Sequence, residues 1–234
     1  LPILPARIIR MRAKRLRPIV VYTDAMYSDT DTPPGRIGIV IYDPEAPEPG
    51  RDANEAPDSV DFRWRHASVE VTRDDLASMD QRKQYITQLE SLAGLMAYTS
   101  RPGQFRDRDV IHFIDNAGAL AILAKGYSKD EDCGRMTHFY HAIAAALQSR
   151  VWFEYVASGA NIADLPSRGE FAKLRELGSV EFKIVWPDLG KSWAASFESA
   201  YNQYAPSPTR AAKRKRGEIA KAMCLLRLLR GAWV

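Results

Sequence analysis

The sequence predicts an α/β protein built on a mixed five-stranded sheet flanked by helices. Three observations point there. The first third carries three β-branched, apolar runs joined by turn-rich links, the signature of antiparallel strands. After them, strand-like runs alternate with segments of helical periodicity, the order that produces parallel pairing and crossover helices. Apolar residues make up 46% and aromatics 10% of the 234 residues, enough to bury the core of one domain.

The elements follow in order. Pro18–Ala25, PIVVYTDA, reads as a buried strand. A loop with two prolines and a glycine leads to Arg36–Tyr42, RIGIVIY, a second strand. Asp43–Ser59 is rich in Pro, Glu, Asp and Ala without periodicity, and reads as an exposed, mobile insertion at the far edge from any nucleic-acid groove. Phe62–Val71 alternates Phe62, Trp64 and His66 against Arg63 and Arg65, a third strand. A helix over about Asp80–Thr99 places Ile86, Leu89, Ala93, Met96 and Ala97 on one stripe, and Arg101-Pro102-Gly103 stops it. Asp109–Ile114 is a fourth strand, Asn116–Lys125 and Arg135–Ser149 are helices, and Val151–Val156 is a fifth strand. A turn at Ser158–Asn161 precedes one or two short helices within Ile162–Leu177. The expected organisation is a basic N-terminal arm (1–17), one domain (18–185), and a C-terminal extension with a basic tail (186–234).

Charge divides the chain in the same way. Residues 1–17 hold six basic side chains and no acid, and residues 210–234 hold eight with the single acid Glu218. The stretch 18–209 carries 19 basic and 28 acidic residues. Basic arms on an acidic body suggest a polyanionic partner reached through the arms, with solvated tails as the plainer alternative. Lys213, Arg214, Lys215 and Arg216 read as a nucleic-acid patch or a nuclear localisation signal. Two cysteines, Cys133 and Cys224, exclude a disulfide scaffold and a structural zinc site and fit reduced thiols inside a cell. No apolar run approaches the roughly 20 residues that span a bilayer, so no membrane partner is expected. An intracellular location, cytoplasmic or nuclear, follows as an expectation.

The informative residues are acids in apolar surroundings. Asp24 shares a strand face with Val20 and Tyr22, and Asp115 shares one with Ile111 and Phe113; both end buried-type strands, where α/β proteins place their sites. Glu90 lies on the apolar stripe of its helix, and Asp164 stands where a helix begins. Singly, each has an ordinary reading as a turn former, a cap or a boundary residue. Together, four converging carboxylates would repel unless divalent cations joined them, and an oxygen-only site suits magnesium or manganese.

Order and residues then resemble a family. YTDAMYS, the helix QLESLAGLMAY, FIDNAGALAILAKGYS and VASGANIADLPSRGEF look like the ribonuclease H domain of reverse transcriptases from LTR-type and tyrosine-recombinase-type retroelements, over roughly Pro18–Phe171. The resemblance implies a ribonuclease-H-like sheet and hydrolysis of the RNA strand of RNA–DNA hybrids. It implies two magnesium ions, or manganese, held by Asp24, Glu90, Asp115 and Asp164 as catalytic residues. Asp24 would bridge both ions, Asp115 and Glu90 would serve the leaving-group side, and Asp164 the water-activating side. It also implies an upstream polymerase region in a longer polyprotein, with which the start at Leu1 is consistent.

Asn116 and Arg168 are candidate nucleic-acid contacts, with helix capping and local pairing as their alternatives. The chain departs from the family pattern in having no His between Tyr155 and Ala160, and His138 and His141 on the preceding helix read as structural. That departure keeps a second reading open, a catalytically silent ribonuclease-H-like module that binds nucleic acid or serves as a structural connection. An integrase or exonuclease of the same superfold is a third, disfavoured by NIADLPSR.

Overall fold

The computed structural model describes residues 16–50, 60–188, 201 and 203–205. Its centre is a six-stranded mixed sheet in the order β5-β4-β1-β2-β3-β6. Strands β1 (Ile19–Tyr27), β2 (Gly35–Tyr42) and β3 (Trp64–Val71) form an antiparallel meander, with Asp24 opposite Gly38 and Gly38 opposite Ser68. Strand β4 (Asp109–Ile114) pairs parallel to β1, and β5 (Arg150–Tyr155) parallel to β4. Parallel neighbours need crossovers. The helix α2 (Ile86–Ser100) provides the first, and α4 (Ala117–Lys125) with α5 (Glu131–Ala146) the second.

Two short helices flank α2: α1 (Arg73–Ala77) before it and α3 (Pro102–Phe105) after it. On the opposite side of the sheet, α6 (Asp164–Ser167) and α7 (Ala172–Glu176) follow a 3-10 turn at Ser158–Ala160. Their apolar residues Ala163, Leu165 and Leu174 pack with Val40, Tyr22 and Trp64. The larger core lies on the α2 side. There Ile19, Val21, Ile37, Ile39 and Ile41 from the sheet meet Leu89, Leu92, Ala93 and Met96 of α2, with Tyr140 and Ile143 of α5 behind them. Because α2 is wedged between the sheet and these helices, nearly its whole circumference is buried, from Gln88 to Thr99.

Several boundaries differ from the sequence reading. The sheet has six strands rather than five: Val180–Glu181 adds β6 parallel to Arg65 and His66. The long helix starts at Ile86 rather than Asp80, because Arg82 holds the preceding loop in place. It donates to Asp80 O and pairs with Asp130 and Asp132. The helix expected from Arg135 starts at Glu131, where the Asp130 side chain caps the Cys133 N–H and two acids face the helix dipole.

The start of the supposed mobile insertion is fixed. Asp43 is buried and pairs with Arg108 at 2.8 Å, and Arg63 N donates to Pro47 O at 2.9 Å. This anchor lies at the end of the sheet away from Asp24, since Tyr42 pairs with Val20. Residues 51–59, most of the N-terminal arm and the basic tail with Lys213, Arg214, Lys215 and Arg216 lie outside the described residues. Within the expected extension, Tyr204 is a core residue and its carbonyl accepts from Arg106 at 2.8 Å. Among the described residues, no helix is long and apolar enough to cross a membrane.

Candidate metal centre

Period-two alternation puts Val20, Tyr22 and Asp24 on one face of β1, and the Tyr22 ring stacks on Phe113 of β4 at 4.9 Å. The same alternation along β4 carries Asp115 to the strand's end beside Asp24. Glu90 arrives from the other side of the sheet, on α2, and its Oε1 accepts the Ala25 N–H at 3.2 Å. One carboxylate oxygen from each of Asp24, Glu90 and Asp115 lies within 4.8 Å of the others. Oxygens bound to one divalent cation at about 2.1–2.4 Å lie within about 4–5 Å of each other, so the three are spaced as ligands of a shared ion.

The electrostatics are those of an uncompensated site. Burial pushes the Glu90 carboxyl up to about 9, and repulsion from Asp24 and Asp115 adds to it; the Ala25 N–H opposes. Burial pushes Asp24 up to about 7, against a hydrogen bond from Ser167 and with repulsion from Asp115 and Asp164. No ion pair neutralises any of the three among the described residues, and the buried Oε2 of Glu90 has no hydrogen-bond partner there. A buried carboxylate oxygen left without a donor is costly, and a bound cation removes that cost. The donor set of hard anionic oxygens fits magnesium or manganese.

The other expected site residues fall elsewhere. Asp164 opens α6 but is outside the three-carboxylate group; its Oδ1 accepts from Arg168 Nε at 2.7 Å, and its charge is still felt by Asp24. Arg168 is therefore paired locally, although its side chain remains 62% exposed. Asn116 caps α4, its side chain accepting from the Ala119 N–H at 3.0 Å. His141 bonds to Leu123 O at 2.8 Å, a helix-to-helix tie within the scaffold. Met26, Asp31, Thr32, Arg36 and Arg168 line an open cleft of about 320 Å³, which shares Arg168 with the Asp164 pair.

The sequence reading names no role for Ser167, yet its Oγ donates to Asp24 Oδ2. It also missed Asn161, whose Nδ2 donates to Thr23 O at 3.0 Å while its Oδ1 accepts from Ala163 N. The available signal was their place in NIADLPSR, within six residues of a candidate ligand.

No protein-family model and no curated protein sequence matches the chain. Solved structures do. The ribonuclease H1 of the halophilic archaeon Halobacterium salinarum aligns at 14% identity and a TM-score of 0.45, covering 67% of this chain and 99% of that one. LC11-RNase H1, solved in complex with an RNA/DNA hybrid, aligns at 16% identity and a TM-score of 0.42, over 67% and 99%. An N-terminal RNase H domain from Mycobacterium tuberculosis aligns at 14% and 0.41, over 68% and 96%.

Proposed function

We propose that the chain is a divalent-metal-dependent endonuclease that hydrolyses the RNA strand of RNA–DNA hybrids, as the ribonuclease H part of a retroelement reverse transcriptase. The observation that carries this reading is the meeting of the buried Asp24 and Glu90 with the half-buried Asp115, from β1, α2 and the end of β4, without a cationic side chain paired to any of them among the described residues. The retroelement context rests on the sequence resemblance, above all on NIADLPSR.

In this reading Asp24, Glu90 and Asp115 hold the cations, and Asp164 joins them by releasing Arg168. The exposed Arg168 can then turn to a phosphate, since a surface ion pair holds it by only about 0–1 kcal/mol. Magnesium or manganese bound there supplies Lewis-acid activation of the attacking water and stabilisation of the leaving 3′ oxygen. Water adds to phosphorus, the P–O3′ bond breaks, and the products carry a 5′-phosphate and a 3′-hydroxyl. Arg36, which also pairs with Glu70 at 2.7 Å, and Arg168 line the cleft, a fit for backbone phosphate. Asn116 is already a cap on one face of its amide, and its amide NH2 is the group left to meet substrate.

The silent-module reading has one observation in its favour, the closed Asp164–Arg168 pair. One assay decides. Labelled RNA–DNA hybrid, RNA duplex and DNA duplex are incubated with the full chain in magnesium and then in EDTA. The RNA strand of the hybrid is cleaved in magnesium and spared in EDTA. Cleavage of DNA but not of hybrid RNA overturns the substrate assignment, and binding without cleavage establishes the silent module.

A further inference from the structure

Ser167 is fully buried, and its hydroxyl has two acceptors within reach, Asp24 Oδ2 and Asp164 O, the latter at 2.9 Å. A hydroxyl has one proton, and a carboxylate is the stronger acceptor, so the proton belongs to Asp24. The terminal torsion of an aspartate is broad, so an unrestrained Asp24 would swing its oxygens through a range of directions. The Ser167 bond removes that freedom by holding Oδ2, which fixes the direction of the whole carboxylate.

Two further contacts set the reach of this hydroxyl. Gly38 stands opposite Asp24 on β2, and a Cβ there would lie 2.4 Å from Ala163 O and 2.5 Å from Ser167 N. Only the absence of that carbon lets α6 lie close enough for Ser167 to touch Asp24. Asn161 then ties the entry of α6 to the carbonyl of Thr23, next to Asp24 in the chain, and to Ala163 N.

We infer that Ser167 is a positioning residue, which aims the Asp24 carboxylate at a divalent cation through a contact made possible by Gly38 and Asn161. The inference rests on the proposed metal-dependent reading of the site. Ser167 touches neither substrate nor reacting atoms and acts through Asp24 alone.

The test is titration of the metal-free full chain with manganese and with magnesium by calorimetry, alongside melting curves in EDTA. Replacing groups that orient a metal ligand typically costs 10–100-fold in metal affinity, so Ser167→Ala is expected to raise the metal Kd by about tenfold or more. The control is Phe171→Ala, which removes packing beneath α6 but keeps the hydroxyl. It lowers the metal-free melting temperature and leaves Kd unchanged. Ser167→Cys, similar in size with a weaker donor, gives a smaller loss than Ala and carries the test if the Ala variant does not fold. Wild-type affinity in either Ser167 variant overturns the inference, as does an equal loss in Phe171→Ala. A wild-type chain that binds neither ion overturns the metal-dependent reading itself, and the inference with it.

Discussion

At the starting ends of β1, β4 and β5, acids are matched by arginines. Asp43 lies against Arg108 with both oxygens engaged, at 2.8 and 2.9 Å, and Arg150 holds Asp109 and, at 3.4 Å, Asp107. At the finishing ends of the same strands, Asp24, Glu90 and Asp115 crowd together without a guanidinium between them. Arg168, an arginine near enough to be felt by Asp24, is turned to Asp164. Both ends use carboxylates, and Asp43 is as buried as Asp24 and Glu90. What separates them is whether the charge is answered from within the chain. A buried acid with its own arginine is part of the scaffold, whereas buried acids left to repel one another need something from outside.

The comparison can be broken first at the paired end. Arg108→Ala leaves the buried Asp43 without its partner, and urea denaturation should show a loss of about 3–5 kcal/mol, as when one member of a buried pair is removed. A loss below about 1 kcal/mol would mean that Asp43 is solvated and that its arginine does not set the two ends apart.

Asp24→Asn at the other end keeps shape and removes charge. Single-turnover cleavage of hybrid should slow at least about a hundredfold, about 2.7 kcal/mol of barrier, with little loss of metal-free stability. Near wild-type turnover would remove Asp24 from the chemistry.

The third test uses pH in EDTA. Glu90 has its proton held up to about 9 in the fold, against an ordinary value of 4.5. The folded state therefore binds the extra proton between those values. Stability is fully present below about 4.5 and falls as pH rises toward 9, by up to about 1.4 kcal/mol per pH unit for one proton. Comparing Glu90→Gln with wild type isolates this slope: the variant should lose the fall between about 7 and 9 and keep a fall below about 7 that belongs to Asp24. Equal slopes would show that Glu90 titrates normally.

The smallest effect is expected at Arg150. Its pairs with Asp107 and Asp109 are part-exposed, so Arg150→Ala should cost only about 1 kcal/mol in the same urea experiment, and added salt should shrink the difference.

How much of this could be read from the chain depends on how local the cause is. The meander, the crossovers and the strand-end acids were legible because period-two runs and apolar stripes report which face is buried. Glu90 was legible for the same reason, as a charge on a stripe that should have none. The start of α5 was legible too but missed: Asp130, Glu131 and Asp132 are cap and first-turn signals. The capping box of α1, Thr72 with Asp75, was another. β6 was not legible, since two residues carry no period and their pairing depends on a strand more than a hundred residues earlier. Ser167 was hidden for a related reason. Its role exists only because Gly38, far away in sequence, leaves a gap.

β6 has a consequence for how the molecule behaves in a crowd. A sheet ends in rows of unpaired amides and carbonyls that can recruit a strand from another chain, and long exposed edges are where such recruitment starts. Without β6, the eight residues of β3 would be such an edge. The two residues of β6 pair at Arg65 and His66, and Phe182 N continues the cover by donating to His66 O. The chain then turns onto the end of α2, where Ser100 Oγ accepts from Val185 N and Thr99 Oγ1 donates to Val185 O. A strand this short is itself a poor template. The strap thus covers the β3 edge at Arg65 and His66, and in their place it offers a newcomer a regular strand of only two residues.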